Sequence, residues 1–229
     1  MKVGIIGSGN IGSALAQHLS DLGHEVSIAN SRGPETLTEL AEQTGAKAAT
    51  VEEAAAAVDL IIITIPEKAI PELPAGLFAN TKATIIDTGN YYPVRDGQLE
   101  EIQNGLMDSQ WVEQHIGHSV IKAFNNIYSA SLASKAVPAG TDGRIALSVA
   151  GDDANEKQLV LDLIEAIGFD AIDTGSLGES WKQEPGSPAY CHDLNKEALR
   201  SALDAADLSK RAEYREAADA QLRQMLGIS

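Results

Sequence analysis

Near the N-terminus, Gly7-Ser8-Gly9-Asn10-Ile11-Gly12 stands between an apolar run, Val3 to Ile6, and a stretch in which Ile11, Leu15, Leu19 and Leu22 recur at helical spacing. A strand, a glycine turn and a helix in that order suit phosphate chemistry. The first glycine permits a tight turn, the second lets backbone approach a pyrophosphate, and the third lets helix and strand pack closely. The helix N-terminus then turns free N–H groups and a partial positive charge towards the phosphates. The motif therefore predicts that Gly7, Ser8, Gly9, Asn10, Ile11 and Gly12 cradle a dinucleotide.

The next apolar run, Glu25 to Ala29, ends in Asn30-Ser31-Arg32-Gly33. A site for an unphosphorylated ribose carries Asp or Glu at this point, but here no acid occurs before Glu35. Arg32 can grip a 2′-phosphate with charge-assisted bonds, and Ser31 and Asn30 stand beside it. NADP is thus expected in preference to NAD. Two further apolar runs end in Thr64-Ile65-Pro66 and Asp87-Thr88-Gly89-Asn90. Ligands sit outside the carboxyl ends of parallel strands, so Thr64, Ile65, Pro66 and Asn90 should line the same crevice. For Asp87 to Asn90 a plain turn explains the residues equally well.

Another predicted strand, Ser119 to Phe124, runs into Asn125-Asn126. A nicotinamide carboxamide needs a donor and an acceptor, which these two amides, Asn125 first, can supply, while an Asn turn is the alternative. His118 is the histidine nearest that strand and is the candidate proton donor. His115 and His118 lack a third ligand at metal spacing, so no metal is expected. His18 and His24 read as structural, and Cys191 beside His192 as an indifferent thiol. Trp181 and Tyr190 flank Pro185-Gly186-Ser187-Pro188, a packed linker or a lid over the cofactor.

The elements that must position these groups alternate between strands and helices over the first half of the 229 residues. That alternation predicts an α/β fold of the Rossmann type, a doubly wound, mostly parallel sheet, over residues 1–177. Residues 178–229 read as a loop and a small C-terminal helical extension. Thr50 and Glu53 have capping-box spacing, Asp152 is a plausible N-cap, and Tyr91 to Gly117 should hold a short helix and a loop. With 44% hydrophobic residues the chain can bury a core of ordinary size. The net charge of −16, shared evenly on either side of Ala150, opposes nucleic acids and anionic membranes. The run Leu60 to Ile65 is too short to span a bilayer. A cytoplasmic protein is expected, and Leu199, Leu203, Leu222, Met225 and Leu226 in the tail suggest a homodimer.

Taken with Asn30-Ser31-Arg32, Thr64-Ile65-Pro66 and Lys122-Ala123-Phe124-Asn125, the glycine loop makes the sequence resemble the NADPH:deazaflavin oxidoreductases. These pass hydride between NADP and the 8-hydroxy-5-deazaflavin coenzyme, factor 420; the cytosolic domain of membrane metalloreductases is a relative. The likeness covers roughly residues 1–175. It implies that Ser8, Gly9, Asn10 and Ile11 cradle the pyrophosphate and that Ser31 and Arg32 hold the 2′-phosphate. Gly33, Pro34 and Glu35 stand where some members add a basic residue. The resemblance implies a small-molecule electron carrier, a deazaflavin or a flavin, as partner. A related imine or carbonyl reductase would need His118, Lys122 or Tyr128 as proton donor. A non-enzymatic NADP sensor would need no acceptor at all.

Overall fold

The computed structural model describes residues 1–56 and 58–228. Strands and helices alternate through β1 (Lys2–Ile6), α1 (Asn10–Asp21), β2 (Glu25–Ala29), α2 (Thr38–Thr44), β3 (Lys47–Ala48), α3 (Val51–Ala55), β4 (Leu60–Ile63) and β5 (Thr84–Asp87). Three short helices follow, α4 (Pro93–Asp96), α5 (Glu100–Gln103) and α6 (Asp108–Ile116), and then β6 (Ile121–Lys122). The chain continues through α7 (Ser129–Ser134), β7 (Ala146–Val149), α8 (Ala154–Ile167) and β8 (Asp170–Asp173) to α9 (Lys196–Ala205) and α10 (Arg211–Met225).

Six strands form one sheet in the order β3-β2-β1-β4-β5-β6, and every pairing in it is parallel. The order reverses between β1 and β4, which opens a crevice at the carboxyl ends of the strands. This is the doubly wound Rossmann architecture. β7 and β8 pair in parallel beside it, and an antiparallel bridge from Lys122 to Ala150 joins the two ladders.

Strand alternation sorts side chains to two buried layers. Ile5, Leu60 and Ile62 pack with Leu15, Leu19 and Ile28 on one face, while Ile6, Ile61, Ile63 and Ile85 meet Trp111 on the other. Each side chain removed from water in this way contributes about 1.5–3 kcal/mol. Both faces are covered, so the central strands read as unbroken apolar runs.

Local signals act where sequence places them. Thr50 Oγ1 accepts from Glu53 N at 3.2 Å while Thr50 N donates to Glu53 Oε2 at 2.9 Å, completing the capping box of α3. Other expectations need correction. Asp153, not Asp152, caps α8; Asp152 accepts instead from Leu177 N. Residues 91–117 hold three helices. β6 stops after two residues because Phe124 takes φ 61°, which no strand can continue. The tail is two helices, and its Leu199 and Leu203 pack on Ala146, Ile172 and Ala189 of the same chain. Among the described residues no helix is long and apolar enough to cross a membrane.

Candidate functional site

The three glycines of the loop divide the work between them. Gly7 has φ 119° and donates to Ala29 O at 2.8 Å, and a Cβ there would collide with Thr64. A Cβ on Gly12 would strike the Gly7 carbonyl, so this glycine lets α1 lie against the turn. A Cβ on Gly9 would meet nothing within 4 Å. Gly9 therefore faces open space at the N-terminus of α1, where a side chain would fill the cradle itself. The residues present fit a pyrophosphate.

A cavity of about 610 Å³ opens on one side of this loop. Ser8, Asn30, Ser31, Arg32, Thr64, Ile65 and Pro66 all line it, with Gly7 and Gly9. Asn30 shapes the β2 end: its Oδ1 accepts from Arg32 N at 2.9 Å, and its Nδ2 donates to Ser8 Oγ at 3.3 Å and Thr36 Oγ1 at 3.0 Å. Asn30 is thus a brace for the turn. Arg32 is exposed and, among the described residues, makes no ion pair. Its guanidinium is available to an anion. Two carboxylates, Glu52 and Glu72, also border this cavity.

A second cavity of about 460 Å³ lies at the ends of β5 and β6. Its walls include Ile11 from the start of α1, Thr88, Asn90, Asn125, and Leu222 and Met225 from α10. Gly9 borders the first cavity and Ile11 the second, so the N-terminus of α1 separates the two. Phe124 and Cys191, which also line it, hold φ 61° and 53°. Such conformations cost non-glycine residues about 1–3 kcal/mol and cluster where ligands bind.

Asn125 occupies this wall in a different role from the expected one. Its Nδ2 donates to Gln183 O at 2.6 Å and to Asn90 Oδ1 at 3.0 Å, and its Oδ1 accepts from Gln183 Nε2 at 2.8 Å. Both amide hydrogens are committed within the chain, so Asn125 is a positioning residue. Asn90 is half-buried, held by Asn125 and Arg95, and keeps an amide hydrogen and a lone pair for a ligand. His118 precedes β6, at the opposite end of the parallel sheet from the crevice, and is half-buried with Nδ1 on Ser119 O. It borders neither cavity. Strand direction excludes it as proton donor. Asn10 is exposed beside the loop, and Trp181 is buried, packed under Lys182, and forms no lid.

Behind the second cavity lies a buried ionic network. Lys122 Nζ meets Asp87 Oδ2 at 3.0 Å and Gly89 O at 2.5 Å, and Ser109 Oγ donates to Asp87 Oδ2 at 2.6 Å. Burial works against the Lys122 charge, but Asp87, Asp108 and Glu67 outweigh it and raise its pKa. From α10, Arg211 and Arg215 reach Glu184 at 2.5 Å and 3.2 Å, and both also reach Asp108. Burial, with Glu184 adding to it, pushes Asp108 up to about 7. Glu67 pairs with Arg95 through Oε2 at 2.8 Å, while Oε1 has no partner among the described residues. Burial raises its pKa well above the ordinary value, with Asp108, Asp87 and Asp96 adding to it against Arg95.

Sequence reasoning missed Gln183, Arg211 and Arg215, whose side-chain partners Asn125, Glu184 and Asp108 lie 27 to 107 residues away. One signal was present: a lysine inside the apolar run Val120 to Phe124 needs a buried anion, and Asp87 ends the neighbouring strand.

Residues 2–91 match the family described as NADP oxidoreductase, coenzyme F420-dependent. The metalloreductase STEAP3 of Rattus norvegicus is 27% identical over 184 residues, 80% of this chain and 36% of its own. The chain spans about half or less of the length of the curated relatives it matches. Among solved structures, a hypothetical protein of Sinorhizobium meliloti superposes with TM-score 0.72 at 29% identity, over 86% of this chain and 96% of the other. A protein of Arthrobacter sp., assigned provisionally to the F420-dependent NADP reductases, superposes over 100% of this chain and 96% of its own with TM-score 0.66. At 21% identity that likeness speaks for the fold. Residues 2–91, which carry the glycine loop and the Arg32 turn, are thus similar to the NADP-dependent oxidoreductase family described as coenzyme F420-dependent.

Proposed function

We propose that the protein moves a hydride between NADPH and a planar two-electron carrier, a deazaflavin of the factor 420 type or a flavin. One observation supports this above others: a second cavity lies across the N-terminus of α1 from the cavity that Arg32 borders. A dinucleotide lying across Gly9 would place its adenosine phosphate by Ser31 and Arg32 and its nicotinamide towards Asn90. When bound, the nicotinamide supplies the hydride. The chain binds and aligns: Asn125, itself gripped by Gln183, holds the Asn90 amide, and Ile11, Phe124 and Tyr128 give the apolar and aromatic surfaces a flat ring stacks on. α10 supplies the cover over this pocket, anchored through Arg211 and Arg215.

A cytoplasmic homodimer fits this reading. Met225, Leu226 and Ile228 stay exposed at the end of α10 after Leu199 and Leu203 have found partners in their own chain. A dimer mass by light scattering at micromolar concentration is expected, and a strict monomer would overturn that part. The function is tested by NADPH oxidation with deazaflavin, riboflavin, a ketone and an imine in parallel. The planar carriers should be reduced fastest. Tight NADPH binding with no oxidation by any of them would favour a sensor.

A further inference from the structure

The second cavity contains a pair of groups that hydride alignment does not use. Tyr92 follows β5 and Tyr190 lies 98 residues further on, yet their phenol oxygens are 2.8 Å apart and both residues border the cavity. Two phenols at this distance share one hydrogen. The accepting oxygen keeps its own O–H for a third group, the neighbouring Cys191 thiol or a bound ligand.

The surroundings favour neutral donors. Among the described residues, the lining of this cavity holds no Asp, Glu, Lys or Arg. Burial pushes Tyr92 up to about 12, against the hydrogen bond with Tyr190, and pushes Tyr190 higher still. Both phenols therefore remain protonated at neutral pH. The groups facing the pair are Arg95, whose guanidinium lies 5.4 Å from the Tyr92 ring centroid, Glu67 behind it, and the Cys191 thiol, which burial also pushes up to about 12. α10 adds Ala217, Ala218 and Gln221, and His192 is exposed at the rim.

A hydride added to a conjugated ring or a C=N bond leaves an electron pair on a heteroatom. In a pocket without a fixed cation, that charge must be met by a hydrogen-bond donor. We propose that the Tyr92–Tyr190 hydroxyl pair donates the proton that accompanies the hydride, a role that rests on the second cavity being the acceptor site. The C–H bond of the reduced nicotinamide breaks and its electron pair forms a new bond to the acceptor. The displaced π pair on the acceptor heteroatom takes the phenol proton. The phenolate regains a proton from water through its partner hydroxyl. In sum, NADPH, acceptor and one proton give NADP⁺ and the two-electron-reduced acceptor.

The test uses Tyr92→Phe, Tyr190→Phe and His192→Gln, which preserve ring or chain volume. NADPH affinity is read by fluorescence titration, and turnover with 8-hydroxy-5-deazaflavin, riboflavin and a cyclic imine. With the acceptor that the wild type reduces fastest, Tyr190→Phe or Tyr92→Phe should lower kcat about 10²-fold, the scale of a lost general acid. The same variant should lose the solvent deuterium isotope effect, with NADPH affinity unchanged. A second readout needs no turnover: riboflavin added to the NADP⁺ complex should shift the ring-hydroxyl carbon resonance of Tyr92 or Tyr190 in labelled wild type. If the imine is reduced fastest, the planar-carrier reading fails and the tyrosine pair is judged on the imine. Unaltered kcat in both tyrosine variants, loss of turnover in His192→Gln alone, or tyrosine resonances that do not move with riboflavin would overturn the pair.

Discussion

Gln183 grips the Asn125 amide from both sides, accepting from Nδ2 at 2.6 Å through its backbone carbonyl and donating to Oδ1 at 2.8 Å through its own side chain. The two residues are 58 apart and both are buried. Asn125 in turn fixes Asn90, the half-buried amide of the second cavity. A chain of three amides thus runs from the 3-10 turn at Leu177–Gln183 to the end of β5.

Gln183→Leu should strand the Asn125 carbonyl oxygen. A buried polar group without its partner costs about 1–3 kcal/mol, to be read from urea unfolding midpoints. Turnover should fall with it, because small misplacement of a bound ring costs about 10²-fold. Affinity for 2′-phosphorylated adenosine should stay level. Equal losses in that affinity and in turnover would show general disruption rather than misalignment.

Arg32→Ala should weaken NADPH far more than NADH. A charged hydrogen bond to phosphate contributes about 1.5–3 kcal/mol, which is about 10- to 150-fold in affinity. Titration of both nucleotides reads the difference directly. Identical losses for NADPH and NADH would remove Arg32 from the 2′-phosphate.

The loop glycines should separate by outcome. Gly9→Val points its side chain into open space, so the protein should fold with its normal unfolding midpoint and lose NADPH affinity. Gly12→Val meets the Gly7 carbonyl and should destabilise the fold itself. A folded Gly9→Val with unchanged NADPH titration would contradict the cradle.

Glu67 carries the pH dependence. Its native pKa lies well above that of the unfolded chain, because burial penalises the charged form. The native state then holds a proton that the unfolded state releases, so stability falls as pH rises from about 4.5 towards the native pKa. Glu67→Gln keeps an acceptor for Arg95 and places an amide where Oε1 has no partner among the described residues. Its unfolding midpoint should drop less between pH 5 and pH 8 than that of wild type. Parallel pH profiles would contradict a protonated Glu67.

What was legible in the sequence followed from local rules. The glycine loop, the acid-free end of β2 and the Thr50 capping box each depend on neighbours within a few residues, and period-2 and period-3.6 patterns delimit the central elements. Of the second cavity only Asn90 and Asn125, at the ends of predicted strands, were legible; the rest is assembled from the loop around Tyr190 and from α10. No periodicity reveals that Tyr92 meets Tyr190, or that Arg211 enters the core to reach Glu184. His118 was misassigned because closeness to a strand does not tell which end of it the residue occupies. The parallel pairing of β5 with β6 does tell.

The central claim is that hydride passes from NADPH to a planar carrier held in the second cavity. Its most direct measurement is the initial rate of NADPH oxidation with 8-hydroxy-5-deazaflavin, set beside riboflavin, a simple ketone and a cyclic imine under identical conditions. The account predicts the fastest rate with deazaflavin or riboflavin. A ketone or imine that outpaces both planar carriers would contradict it.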